Sequence, residues 1–277
     1  MIKLLLFTLL LALSSCSLFN RSNRVILPPL QGTNLDPSNV WPTLSMPTNG
    51  EADSIGGYGS GCLLGGQQLP SRAGILIAHP ERKRDFGHPH LVGFLQRLSQ
   101  QVDSKLLIGD LSQPRGGPIP GGHASHQNGL DVDLYYKLGA GNISVTMINK
   151  DGLSLAANVW KEEYEVLLMK VAAEPRVERI FVNAVIKKEL CKKYPDNVLL
   201  SKIRPWYYHD EHFHIRLACP ENSSRCVVQN PVGKGSQCGS ELAWWFSSEA
   251  LDIWRQRDGR QVERSFSLPE ACRSATL

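Results

Sequence analysis

"GGHASHQNGLDVDLYY", residues 121–136, places two histidines, two aspartates and three glycines ahead of an alternating apolar segment. "LDVDL" has a period of two. A strand here sends Asp131 and Asp133 to one face while Leu130, Val132 and Leu134 enter a core. Gly121, Gly122 and Gly129 permit the sharp turns that fold a loop histidine over such a strand. By itself the stretch fits two readings equally: a polar turn bonded to its own backbone, or half of a metal site.

The second half comes some eighty residues later. In "WYYHDEHFHIRL" (206–217), His212 and His214 lie two apart on another alternating segment, hence on one face, with Phe213 and Ile215 on the other. His209 sits just upstream. These are three of the chain's eight histidines, a density that core filling does not explain; a chance surface cluster is the bland alternative. Together the two stretches offer imidazole and carboxylate donors, the set from which a catalytic zinc takes three ligands while keeping a fourth position for water.

The rest of the chain reads as one domain of mixed class. "GILIAH" (74–79) and "KLLIGDL" (105–111) predict strands, and "HLVGFLQRLSQQVD" between them has helical spacing. "NVWKEEYEVLLMKVAAEP" (158–175) predicts an amphipathic helix ending before Pro175. "VERIFVNAVI" predicts a further strand and "VIKKELCKKYP" a helix ending at Pro195. Strict βαβ alternation is lacking, so the expected fold is α+β, a central antiparallel sheet flanked by helices. Trp244, Trp245 and Trp254 in the tail read as packing residues, and Arg115 as a solvated arginine rather than a group that meets a substrate carboxylate.

"MIKLLLFTLLLALSSC" has Lys3, a short apolar run and small residues leading to Cys16, the anatomy of a signal peptide over residues 1–16. Leu13-Ser14-Ser15-Cys16 also resembles a bacterial lipobox, which would make Cys16 a lipid acceptor. Residues 17–54, rich in Pro, Asn, Ser and Thr, read as a flexible linker, and residues 55–277 as the folded domain. Export makes the six other cysteines candidates for three disulfides, among which spacing marks only Cys219 and Cys226 as locally closable. A net charge of +4 without a basic block gives no support to nucleic-acid binding.

The two histidine segments, with "FGHPHLVGFLQRLS", "LLIGDLSQPRGG" and "RIFVNAVIKKELC", resemble the penicillin-insensitive murein endopeptidases. These belong to the wider group of lysostaphin, D-alanyl-D-alanine metallopeptidases and hedgehog domains. The resemblance covers most of residues 55–275. It implies a lysostaphin/hedgehog-type fold with His126, Asp133 and His214 as Zn2+ ligands. His212 would be the general base, and His209 the imidazole that orients it or stabilises charge. His123 and Asp151 match further metal-binding positions, although Ser154 stands where another histidine is expected. It implies the disulfides Cys62–Cys272, Cys191–Cys238 and Cys219–Cys226. The implied activity is β-lactam-insensitive cleavage of D-alanyl–meso-diaminopimelyl crosslinks in the periplasm of a Gram-negative-type bacterium. Peptidoglycan would be the partner, membrane contact would run through lipidated Cys16 alone, and homodimerisation is left open. Two alternatives are a D,D-carboxypeptidase or dipeptidase on the same peptides, and a non-catalytic envelope protein that binds peptidoglycan.

Overall fold

The computed structural model describes residues 40–120, 124–141, 143–257 and 268–276. The expected signal peptide, Cys16, and residues 17–39 of the expected linker lie outside the described residues, as do Gly121, Gly122 and His123. From the N-terminus, the first elements are a hairpin of β1 (Asp53–Gly57) and β2 (Ser60–Leu64). Next come β3 (Gln67–Gln68), β4 (Ile75–Ile77) and β5 (Phe86–Gly87), β3 pairing with β5. Helix α1 (Pro89–Ser99) precedes β6 (Leu106–Ile108) and β7 (Asp131–Tyr135). Then follow α2 (Glu162–Ala173), β8 (Val177–Val182), α3 (Ala184–Lys193), β9 (Ile203–Pro205) and β10 (His212–Leu217). Two short helices, α4 (Ser240–Trp244) and α5 (Ser248–Arg257), lie near the C-terminus.

Six strands form the main sheet in the order β4-β6-β7-β10-β8-β9. Its four central strands are antiparallel, as the alternation predicts, but both edges are not: β4 pairs parallel with β6, and β8 parallel with β9. Parallel neighbours need a crossover, and α1 and α3 supply the two that the sequence pattern did not reveal. Each helix starts on a side-chain cap. The His88 ring accepts from the His90 amide at 3.2 Å, and the Asn183 side chain accepts from Val185 at 2.9 Å.

The sheet is amphipathic across its thickness. Val132, Leu134, Phe213, Ile215 and Ile180 point into one core with Leu91, Leu95, Leu98, Leu167, Leu168, Val171 and Ile186 from the helices, all fully or almost fully buried. The other face carries the polar residues of β7 and β10. Gly129 opens the turn into β7 at φ +75°, where a Cβ would stand 2.7 Å from the Leu63 side chain, so glycine is required there.

A smaller cluster ties the ends of the described chain together. Trp41 and Leu44 pack with Ile55, Ala275 and the Cys62–Cys272 disulfide. The packed chain therefore reaches back to Trp41, into the segment read from composition as linker. Two apolar side chains in a Pro-rich stretch are enough to dock it. Arg115 is half-exposed, and its guanidinium donates to the carbonyls of Met46 and Ala275, stapling both ends rather than facing the polar side of β7 and β10. Cys191–Cys238 and Cys219–Cys226 complete the three disulfides. Among the described residues no helix is long and apolar enough to cross a membrane.

Because Cys62–Cys272 spans 210 residues of sequence, its removal frees the largest loop in the unfolded chain. The C62A/C272A protein is expected to lose about 2–5 kcal/mol. Denaturant titration should register the loss while far-UV circular dichroism stays native; an unchanged midpoint would contradict it.

Candidate metal centre

Strand register builds the site. In the antiparallel pair of β7 and β10, Asp131 stands opposite Arg216, Asp133 opposite His214, and Tyr135 opposite His212. Directly paired residues share a face, so one pairing delivers two carboxylates, two imidazoles and a guanidinium to the side away from the core. On β8, Phe181 pairs with His214 and lies beside it, ring centroids 5.4 Å apart.

The loop histidine arrives from the other direction. His126 adopts a left-handed backbone at φ +67°, a costly conformation for a non-glycine residue. Its amide donates to Asp131 Oδ2 at 3.1 Å, and its Nδ1 lies 2.7 Å from the carbonyl of Leu111. A carbonyl only accepts, so Nδ1 carries the proton and Nε2 presents a lone pair. That Nε2 is 3.4 Å from Asp133 Oδ1. His214 Nδ1 is 3.2 Å, and His212 Nε2 3.8 Å, from the same oxygen.

His126, Asp133 and His214 are all buried, and their donor atoms lie within 4.8 Å of one another. Asp133 Oδ1 receives no hydrogen bond although it is shielded from water. A buried carboxylate oxygen without a donor is unfavourable, and a cation among these three side chains satisfies it. Two imidazoles and one carboxylate suit a divalent metal of the zinc type. The residues present fit the group.

Electrostatics follow from the same contacts. Burial opposes charge on Asp133, yet His126 and His212 outweigh it and hold its carboxyl well below the usual range. Asp131 is fully buried, which also opposes its charge. Arg216 overrides burial through a bidentate pair, Nε to Oδ1 at 2.8 Å and Nη2 to Oδ2 at 3.0 Å, and keeps Asp131 ionised. Burial lowers the basicity of His214 while Asp131 and Asp133 raise it, and the carboxylates prevail. His214 Nε2 lies 3.1 Å from Asp131 Oδ1, within ion-pair distance. Arg216 itself is roofed by the Tyr58 ring, 4.1 Å from the guanidinium carbon.

His209 and His212 form the open side. The His212 side chain is 28% exposed, and its ring centre is 5.2 Å from that of His209. Tyr208 and His209 are both left-handed, at φ +61° and +50°. Asn183 pins this strained turn: its side chain donates to Tyr208 O at 3.0 Å, and its amide to His209 O at 2.9 Å. His209 Nδ1 lies 2.7 Å from Tyr207 O, so Nε2 is its free acceptor. Burial first, then His212 and His214, push its pKa down to about 3.

Of the residues singled out in the sequence, His126, Asp133, His209, His212 and His214 come together. His123 lies outside the described residues. Asp151 does not join them. It is an exposed turn residue whose Oδ1 accepts from the Leu153 amide at 2.8 Å and whose Oδ2 accepts from Ser154 Oγ at 2.9 Å. The serine that replaces the expected histidine is thus bonded to the aspartate. Asn183 and Arg216 were not singled out. Arg216 shares the period-two face of His212 and His214, and Asn183 heads a helical pattern, so both left a signal.

A sequence model of the family described as penicillin-insensitive murein endopeptidase matches residues 54–276. The chain belongs to that family. It is 41% identical to a penicillin-insensitive murein endopeptidase of Klebsiella pneumoniae (strain 342), over 74% of this chain and 81% of the relative. Proteins of the same name from Yersinia pestis bv. Antiqua (strain Antiqua) and Shigella sonnei (strain Ss046) are each 39% identical, over 74% and 75% of this chain and 80% and 81% of their own. Membership makes the protein a peptidase.

Asp131→Asn leaves Arg216 buried without its counter-charge and is expected to cost on the order of 3–5 kcal/mol near pH 7. The folded carboxyl of Asp131 titrates below its unfolded value, so its stabilisation is present above about pH 4 and lost as the pH falls. The gap between wild type and variant, measured by urea unfolding in chelator, should narrow by roughly 1 kcal/mol per pH unit below that point. A gap of constant size would rule this out.

Proposed function

We propose that the protein is an exported zinc metalloendopeptidase that hydrolyses the D-alanyl–meso-diaminopimelyl crosslinks of peptidoglycan. The observation that carries this reading is the convergence of His126 Nε2, Asp133 Oδ1 and a nitrogen of His214 beneath a half-open His212, in a chain of this family. Murein is the substrate in the names of its relatives. The leader-like N-terminus supports a periplasmic location, with Cys16 as lipid anchor.

His126, Asp133 and His214 hold the metal. A bound Zn2+ would supply Lewis-acid polarisation of the scissile carbonyl and a water of lowered pKa. His212 Nε2 takes the proton of the attacking water and returns it to the leaving amine nitrogen, a two-way transfer that one imidazole nitrogen can make as acceptor and then donor. Asp133, 3.8 Å from His212 Nε2, stabilises the imidazolium formed between those transfers. His209 acts as an acceptor. With Nδ1–H given to Tyr207, a neutral ring offers Nε2 as a lone pair, which favours orienting His212 over donating to an oxyanion. Arg216 and Asp131 take no part in proton transfer and hold His126 and His214 in place. No serine is acylated in this scheme, which accounts for insensitivity to β-lactams.

Digestion of purified crosslinked muropeptides should release monomers, stop in chelator, and resume on adding zinc. Activity that survives thorough chelation would overturn the metal-dependent reading, and free D-alanine as the product would replace the endopeptidase with a carboxypeptidase. His212→Ala should lower kcat by roughly 10²–10⁴-fold while zinc content, measured by atomic emission, stays near one equivalent. Loss of zinc together with activity would instead place His212 among the ligands.

A further inference from the structure

Beyond His209 the polar face opens into a cavity of about 280 Å³. Among its lining residues are five aromatics, Trp206, Tyr207, Tyr208, Trp245 and Phe246, and two carboxylates, Asp151 and Asp210. Trp206 and Tyr208 are 46% and 47% exposed, large apolar surfaces held in water at the mouth of a concave site. Rings lead to it from the candidate metal centre in an unbroken series. Centroid distances are 5.4 Å from His214 to Phe181, 5.9 Å from Phe181 to Trp206, and 6.0 Å from Trp206 to Trp245.

We infer that this cavity is a saccharide subsite, seating the sugar ring at the root of the stem peptide whose crosslink is cut. The inference rests on the peptidoglycan reading above. A pyranose ring is amphipathic: its C–H faces pack on aromatic rings, and its edge hydroxyls need acceptors. The cavity lining offers both, aromatic side chains and two carboxylates. Those carboxylates are held in position, Asp151 by the Leu153 amide and the Ser154 hydroxyl, Asp210 by the Thr146 hydroxyl. A wholly apolar occupant would strip them of water without replacing it. A cationic occupant would meet Lys188, whose Nζ lies 4.6 Å from the Phe246 ring centroid. Reach agrees as well. About four stem residues separate the crosslinked carbonyl from the sugar, roughly 13–14 Å when extended. The three ring-to-ring steps are an upper limit on the span to Trp245, and the cavity already begins at Tyr208 and Asp210, next to His209.

The test compares crosslinked peptide dimers that carry their disaccharides with the same dimers after an amidase has removed them. Wild-type kcat/KM is expected to fall roughly 3- to 10-fold on removal. Trp245→Ala and the larger, still apolar Trp245→Leu should turn over both forms at the wild type's sugar-free rate. Equal turnover of both forms by the wild type overturns the subsite and leaves the peptidase reading intact. So does a variant that loses the same factor on both forms. Independently of cleavage, the free N-acetylated disaccharide should quench tryptophan fluorescence saturably in the wild type and in neither variant. Absence of saturation in the wild type also overturns the subsite. Saccharide binding without cleavage of either dimer would sink the peptidase reading alone. If Trp245→Ala melts early, Trp245→Leu carries the comparison.

Discussion

The buried pair of Asp131 and Arg216 is the contact on which the site depends. Taking two charges out of water is unfavourable, and a single salt-bridge bond does not offset it. Here the pair is bidentate, the guanidinium lies under the Tyr58 ring, and Asp131 Oδ2 also accepts the amide of His126. Each addition uses a lone pair or a face that would otherwise be stranded. The result is a rigid anion between a loop and two strands. It fixes the left-handed turn of His126 and stands beside the ring of His214, so one carboxylate positions two donors without being one.

The fold supplies what that anion needs. Antiparallel pairing of β7 and β10 sets Asp131 against Arg216 and Asp133 against His214 in one register; a slip of one residue would send the whole set into the core. The loop after β6 supports the other side, with Asp110 O accepting from the Asp133 amide and Leu111 O facing the His126 ring. Asn183 holds the strained Tyr208-His209 turn from the start of α3. The candidate donors are thus steered by backbone and side-chain groups from several elements, partners that an isolated hairpin would lack.

Much of this was legible before any coordinates. The alternation of "LDVDL" and "HFHIRL" puts polar residues on one face because side chains on a strand alternate, and both segments are the strands expected. The β1–β2 hairpin was missed because "SIGGYGSG" is glycine-rich and shows no apolar alternation. The parallel edges were missed although "GILIAH" and "KLLIGDL" read as strands about a helix, because a strand's direction relative to its partner is set by pairing and not by its apolar pattern; β9, three residues long, carries no pattern at all. The bonds that tie Asp151 to Leu153 and Ser154 in its own turn left no trace in the sequence, where a turn aspartate looks like any other acidic residue near a site.

Sequence by itself determined which residue types occupy the polar face, the helices that cover the opposite one, and the family to which the chain belongs. Each of these depends on periodicity or on local motifs, which a linear string records. Tertiary structure alone decided that His126 turns its Nε2 toward Asp133, that Arg216 neutralises Asp131, and that Arg115 joins the two ends of the chain. It also decided that an aromatic wall continues from His214 to Trp245. These are contacts between segments far apart in sequence, and their existence depends on directions and distances that only the packed sheet defines.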